Sequence, residues 1–224
     1  MSVLAQSSGT PFFRWDWVTS HTDDIWAATV EHLQLTGLAV GSGLVVAIGL
    51  AVVSRRWRPL YGPLTAASGL LYTIPSLAAF ALLVPLFGFT RTTATIALAS
   101  YTLLILLRNT VAGLDAVPAE VREAAVGMGY TPVRQFFEVE LPLALPVIVA
   151  GVRIATVTVV GLVTVTALIG MGGLGAFILN GIRRSIAFPT EIIVGTVASV
   201  MLAAVLDLIL LGVERSLTPW AARR

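Results

Sequence analysis

The chain has no cysteine and no lysine among its 224 residues, and only 12% of its side chains are charged. Without cysteine there is no disulfide framework, no thiol nucleophile and no thiolate metal site. Without lysine no phosphate-binding loop of the GxxxxGK[ST] type can exist, so any ATP hydrolysis linked to this chain belongs to another polypeptide. Two histidines, His21 and His32, are too few to build a metal site without carboxylate help. His21 with Asp23 and Asp24 reads as a solvated charged face. The charges are also too few to coat a water-facing domain, which is about a quarter charged. All fourteen basic residues are arginines spread along the chain rather than gathered on one face, which excludes a nucleic-acid partner.

The composition is instead dominated by long apolar blocks, with 57% hydrophobic residues. A bilayer core needs roughly 20 apolar helical residues to cross it. Five blocks meet that requirement: Leu33 to Ser54, Leu64 to Phe87, Thr93 to Leu107 (short, with polar flanks that extend it), Leu143 to Ile169, and Ile192 to Val213. Trp15, Trp17, Trp26 and Trp57 flank the first block as interfacial anchors. Ser7 to Glu31 is too mixed and acidic for a secretory signal, so insertion is expected to start at the first apolar block.

Arginines near the block ends set the orientation. With the N-terminus outside, Arg55, Arg56, Arg58, Arg108, Arg122, Arg134, Arg215, Arg223 and Arg224 fall inside, against Arg14, Arg91, Arg183 and Arg184 outside. An odd number of spans puts the termini on opposite sides, with the C-terminus cytoplasmic. The organisation expected is an extracytoplasmic segment 1–32, a membrane domain 33–213 and a cytoplasmic tail 214–224. No repeat, linker or low-complexity tract divides the chain.

The longest polar insert, Asn109 to Pro142, then lies in the cytoplasm. Asp115 is a candidate N-cap, Pro118 fits a first helical turn, and Glu120 and Glu123 place negative charge near a helix start. Ala119 to Val126 is expected to be helical until Gly127 and Gly129 stop it. Thr131-Pro132 restarts a second short helix, which is expected to end at Leu141-Pro142. Two such short helices are marginal alone, and the pair Phe136-Phe137 needs cover. A cytoplasmic protein partner is the physical expectation.

Here the sequence resembles a family. Glu123-Ala124-Ala125, then Gly129, then Val139-Glu140-Leu141-Pro142 matches the EAA loop of ATP-binding-cassette (ABC) importer permeases in residues, spacing and placement between spans. Further runs look like the permeases of glycine betaine, choline and carnitine importers. They are Thr73-Ile74-Pro75-Ser76-Leu77 to Leu86-Phe87-Gly88, Glu140 to Ile148, and Ile169-Gly170-Met171-Gly172-Gly173-Leu174-Gly175, together covering most of residues 60–185. The resemblance implies that the EAA helix docks on a separate cytoplasmic ABC ATPase, which binds the ATP and Mg. Glu123, Ala124, Ala125, Gly129, Leu141 and Pro142 are its coupling residues. It also implies a second copy or a sibling permease, an extracytoplasmic solute-binding protein, and a bacterial cytoplasmic membrane setting. No binding domain fused to this chain is expected.

Other signals are weaker. Gly170-Met171-Gly172-Gly173-Leu174-Gly175 matches GxGxxG, but that motif needs a preceding strand, and here a membrane helix precedes it. A flexible outside turn or gate formed by Gly170, Gly172 and Gly173 is the expectation, with Leu174 to Ile182 as a short interfacial or re-entrant helix. Pro75, inside the second block, kinks the helix, and Thr73 and Ser76 put hydroxyls beside the break, where pathways often run. Arg153 and Asp207 are the ionisable residues deepest in the spans and are expected to pair, within one chain or across a dimer. Gly37, Gly41, Gly43 and Gly49 offer small faces for helix packing. No catalytic constellation appears. The expected fold is all-α, a polytopic membrane protein of about five spans with a type I ABC permease core. An ion-coupled secondary transporter is the competing class, and another small zwitterion or amino-acid derivative is the competing solute.

Overall fold

A computed structural model describes residues 12–184 and 189–217; Arg223 and Arg224 and the end of the C-terminal tail lie outside the described residues. Ten α-helices follow one another: α1 (Trp15–Ser20), α2 (Thr22–Arg56), α3 (Tyr61–Thr73), α4 (Ser76–Phe87), α5 (Arg91–Asp115), α6 (Ala119–Gly127), α7 (Pro132–Gln135), α8 (Leu141–Val163), α9 (Gly175–Arg184) and α10 (Thr190–Leu217). No strand occurs among the described residues. Four helical stretches are long and apolar enough to cross a membrane, and the bent pair α3–α4 makes a fifth.

Helix α5 is the axis of the bundle, packed on α2 along one side and α8 along the other, with α3 and α4 against it and α10 laid over α8 and α9. Small residues set these close crossings. A Cβ on Gly43 would run into the Thr102 hydroxyl, one on Gly113 into the Ala144 carbonyl, and one on Gly151 into Asn109. Gly37, Gly41 and Gly49 face open space instead, so of the four small positions in α2 only Gly43 serves a contact within the chain. Core side chains form two layers. One is built on Leu35, Phe80, Leu98, Tyr101 and Val159, the other on Ala51, Leu106, Leu107, Leu114 and Ile148.

Two ends of the bundle can be told apart. At one, Arg55 in the last turn of α2 and Arg58 just beyond it meet Asp115 at the end of α5. At the other, Arg91 at the start of α5 bonds Gln34 and approaches Glu31 in α2. The α3–α4 pair therefore runs from one end to the other. It is a broken span rather than a re-entrant loop, despite its bend of 97°.

Several boundaries differ from the sequence expectation. Helix α2 already begins at Thr22, so the division at residue 32 falls inside a helix. Helix α5 runs from Arg91 to Asp115, not Thr93 to Leu107, because one face continues burying Thr110, Val111 and Leu114 past the exposed Arg108. A sequence window sees Arg108 and Asn109 as an end, whereas the helix merely turns them to a different face. The insert shrinks accordingly to residues 116–131. Asp115 closes α5 and caps nothing, and Pro118 precedes α6 in the extended conformation.

The second loop helix does not end at Leu141-Pro142. It passes from α7 through a π turn, Phe136–Glu140, straight into α8, so that residues 132–169 form one helical stretch. The Leu141 N–H bonds back to the Phe136 carbonyl, five residues earlier. That widened register lets Pro142, which lacks an N–H, enter the helix without breaking it.

Candidate functional site

Helix α6 is formed by Ala119, Ala124 and Ala125, strong helix formers, with Glu120 at its positive end. Its exit has a defined geometry. The Gly129 N–H bonds the Val126 carbonyl at 2.9 Å and the Tyr130 N–H bonds the Ala125 carbonyl at 3.1 Å. This is a Schellman motif, which requires its C′ residue in the left-handed region, and Gly129 has φ +80°. The spacing from Ala125 to Gly129 is thus the spacing of a helix cap. Ala125 is fully buried beneath α6, whereas Glu123 and Ala124 face outward. Thr131 caps α7 by accepting the Arg134 N–H, with Pro132 at the first position.

Around α6 lies an exposed apolar surface made by Val121, Val126, Met128, Val133 and Phe137. Phe136 turns the other way, into the core layer of Leu106 and Ile148, where Leu141 also packs. The Phe136 and Phe137 rings meet edge to face at 5.1 Å.

Beneath this surface is a charge network that sequence reasoning missed. Glu140, buried at the end of the π turn, pairs with Arg55 and accepts from Gln135 Nε2 at 3.0 Å. Arg122 of α6 stands 3.6 Å from the same carboxylate and donates to the Leu114 carbonyl at 2.6 Å. Arg55 also approaches Asp115 at 3.6 Å. The Glu140 carboxylate ties α2 and α6 to the π turn, and the two arginines extend the network to α5 through Asp115 and the Leu114 carbonyl. In the sequence these arginines marked only a membrane side; the signal available was Glu140 inside an otherwise apolar approach to a span.

The second group of expected residues lies along the bundle. The α3–α4 span is broken outright at Ile74-Pro75, both extended, as the residue before a proline prefers. Tyr101 Oη donates to the Ile74 carbonyl and holds the break against α5. Thr73 satisfies the Leu70 carbonyl through its hydroxyl at 2.7 Å. Tyr72, Thr73, Pro75, Ser76, Tyr101 and Thr158 line a cavity of about 300 Å³ there. A second cavity of about 470 Å³ continues along α8, from Thr158 to Arg153 and Asp207.

Arg153 and Asp207 meet within one chain. Nε and Nη2 of Arg153 bond the two carboxylate oxygens at 2.9 and 3.1 Å, and Nη1 reaches Glu214 at 3.1 Å. The planar guanidinium suits this bidentate pairing.

Gly170 and Gly173, with φ +74° and +70°, form a turn at the opposite end from α6. It is docked, not loose. Glu31 accepts the Gly173 N–H at 2.9 Å, and a Cβ on Gly172 would strike that same carboxylate. His32, fully buried, accepts the Leu174 N–H at Nδ1 and reaches the Val160 carbonyl from Nε2 at 3.0 Å. Those two partners select the neutral tautomer protonated on Nε2. Gly175 starts α9 flush against the Thr164 backbone, so the chain turns back at once. Trp17 is buried at this end, its ring stacked on His21 and edge-on to Phe177. The described residues contain no group of three His, Cys, Asp or Glu able to hold a metal ion.

Comparison with known proteins gives a consistent answer. Residues 43–221 match the family described as "Binding-protein-dependent transport system inner membrane component". The choline transport system permease protein OpuBB of Bacillus subtilis (strain 168) is 40% identical over 196 residues, covering 88% of this chain and 89% of that protein. The osmoprotectant import permease protein OsmW of Salmonella typhimurium is 40% identical over 200 residues, covering 87% and 92%. Among solved structures, a chain of the MetNI methionine ABC transporter in an inward-facing conformation superposes with a TM-score of 0.73 at 23% identity, covering 92% of this chain and all of that one. A match over residues 43–221, with relatives of this identity covered almost end to end, establishes that the chain belongs to the family of binding-protein-dependent transport system inner membrane components, multi-pass proteins that serve transport rather than catalysis.

Proposed function

We propose that the chain is the permease subunit of an ABC importer that carries a small quaternary-amine osmoprotectant, of the glycine betaine, choline or carnitine type, into a bacterial cell. The observation that supports coupling to an external ATPase is the α6 end of the bundle. A rigidly capped helix presents Glu123 and Ala124 within an exposed apolar surface, in a chain with no phosphate-binding loop. The solute class follows from what the relatives at 40% identity are named for, choline and osmoprotectants. The arginine count favours an orientation with the α6 end in the cytoplasm and the N-terminus outside.

In this reading the partner ATPase holds ATP and Mg. Its closure pushes α6, and the push leaves α6 by two routes. Arg122 hands it to Glu140 and Leu114, and the unbroken helix from residue 132 to 169 turns it into a tilt of α8. The pathway runs along the exposed face of α8 past the α3–α4 break, because peptide groups freed at a break in mid-span cannot face lipid. A second copy or sibling permease completes its wall, and a solute-binding protein delivers solute at the glycine-turn end.

The test is purification of the tagged chain from native membranes in mild detergent, with mass spectrometry of bound proteins, beside the double variant Glu123→Arg/Gly129→Trp. An ATPase that accompanies the wild type and leaves with the variant is the expected result. A folded wild type that retains no ATPase even after crosslinking would move an ion-coupled secondary transporter to the front.

A further inference from the structure

We propose that the cavity at the α3–α4 break is a binding site for the trimethylammonium group of the solute, with Tyr72 and Tyr101 as its aromatic walls. The inference rests on the quaternary-amine reading above and adds the place in this chain where that group is recognised. Four observations converge on one point. The first is the cavity of about 300 Å³, whose lining contains no charged residue. The second is the tyrosine pair, rings 6.1 Å apart and inclined by 68°, an edge-to-face arrangement that leaves the face of one ring open while the other is held. Tyr101 is that held ring, buried and bonded to the Ile74 carbonyl, whereas Tyr72 is 40% exposed.

The third is the end of α3. Its last ladder bond is Ile74 N–H to the Leu71 carbonyl, and among the described residues no backbone amide reaches the carbonyls of Tyr72 or Thr73. A helix C-terminus carries partial negative charge there, which favours a cation. The fourth is depth: Tyr101 lies two residues from the midpoint of α5, residue 103, so the cavity sits well inside the span.

These features match the chemistry of a quaternary ammonium. Such a cation has no N–H to donate, so hydrogen-bonding side chains cannot select it. Aromatic faces and carbonyl oxygens attract it by charge without requiring a hydrogen bond. A carboxylate in the cavity would hold the solute tightly, and a transit site has to release it. Two tyrosines and a helix end give attraction without a full charge. Thr158 lines both this cavity and the next one along α8, so solute leaving the tyrosines passes directly to the face that carries Arg153 and Asp207.

The experiment uses the full complex recovered with the tagged chain, reconstituted in ATP-loaded proteoliposomes, with choline, glycine betaine and 3,3-dimethylbutan-1-ol, the neutral carbon isostere of choline, as probes. Initial uptake at saturating solute is measured for wild type, Tyr72→Phe and Tyr72→Leu. Wild type is expected to carry choline or glycine betaine and to exclude the neutral isostere. Tyr72→Phe, which keeps the ring, stays within twofold, while Tyr72→Leu falls about tenfold, the loss expected for one aromatic face over a desolvated cation. ATPase retention by Tyr72→Leu shows that the complex is intact. Uptake by Tyr72→Leu at the wild-type rate overturns the site and leaves the proposed function standing. Failure of the wild type to carry either quaternary-ammonium solute overturns both.

Discussion

Gly129 shows how a single position fixes the shape of a loop. Its φ of +80° completes the cap that ends α6, and nothing crowds its side, so alanine there fits in space but not in backbone conformation. Gly129→Ala is expected to cost about 1 kcal/mol and to loosen residues 119–130, seen as faster amide exchange confined to that segment. Other glycines answer to space instead. At Gly175 a Cβ would press on the Thr164 backbone, which cannot swing away. Gly175→Ala should lower stability by about 2 kcal/mol, read as a lower melting temperature of the solubilised protein. Gly37→Ala, facing open space, should leave that temperature unchanged. The two glycines look alike in the sequence, and only their neighbours separate them.

At the scale of elements, the continuity of α7, the π turn and α8 matters most. A proline at residue 142 invites a helix end, and by local rules alone Leu141-Pro142 is one. The π turn removes the conflict by changing which carbonyl each amide meets, a register shift that a propensity reading does not contain. The same turn delivers Glu140 to Arg55 and Arg122. Breaking a largely buried ion pair from one side leaves charge without a partner. Glu140→Leu is therefore expected to destabilise the protein by about 3 kcal/mol, and Arg55→Leu/Glu140→Leu by clearly less than the sum of the two single changes, measured by thermal unfolding. If Glu140→Leu melts like wild type, the network does not hold the loop to the bundle. Helix α2 teaches the reverse lesson. Its first turns, Thr22 to Glu31, are mixed and acidic and look like an outside segment, yet they are the same helix, because Glu31 and His32 have partners in the glycine turn 142 residues away.

For the whole molecule, two sets of tertiary ties sit at opposite ends of one bundle, with a broken span and a charged pair between them. Arg153 and Asp207 join α8 to α10, which exposes Val197, Val200, Met201, Val205, Leu208 and Ile209. Among the described residues α10 packs mainly on α8 and α9, and this pair is a polar tie between α10 and α8. In a double-mutant cycle of Arg153→Gln and Asp207→Asn followed by thermal unfolding, the two changes together should destabilise less than their sum. Strict additivity would mean that the contact contributes nothing. Apolar side chains are exposed around α6 (Val126, Met128), along α8 (Ile154, Val157) and along α10.

By itself the sequence determined the class of the protein and the main parts of the α6 loop. Apolar blocks of span length leave a chain little choice but membrane helices, arginines mark the block ends, and the alanine–glycine spacing of α6 is set by the local hydrogen bonds of a helix cap, which involve only neighbouring residues. Only the tertiary structure decided where α5 ends, that the second span breaks by 97° with Tyr101 across the gap, that Gly170 to Gly173 are docked, and that Glu140 gathers arginines from two other helices. These depend on partners 27 to 142 residues apart. The physical reason is one of range: local order follows from the backbone of a few residues, whereas pairing across a bundle follows from which faces the packed helices turn towards each other.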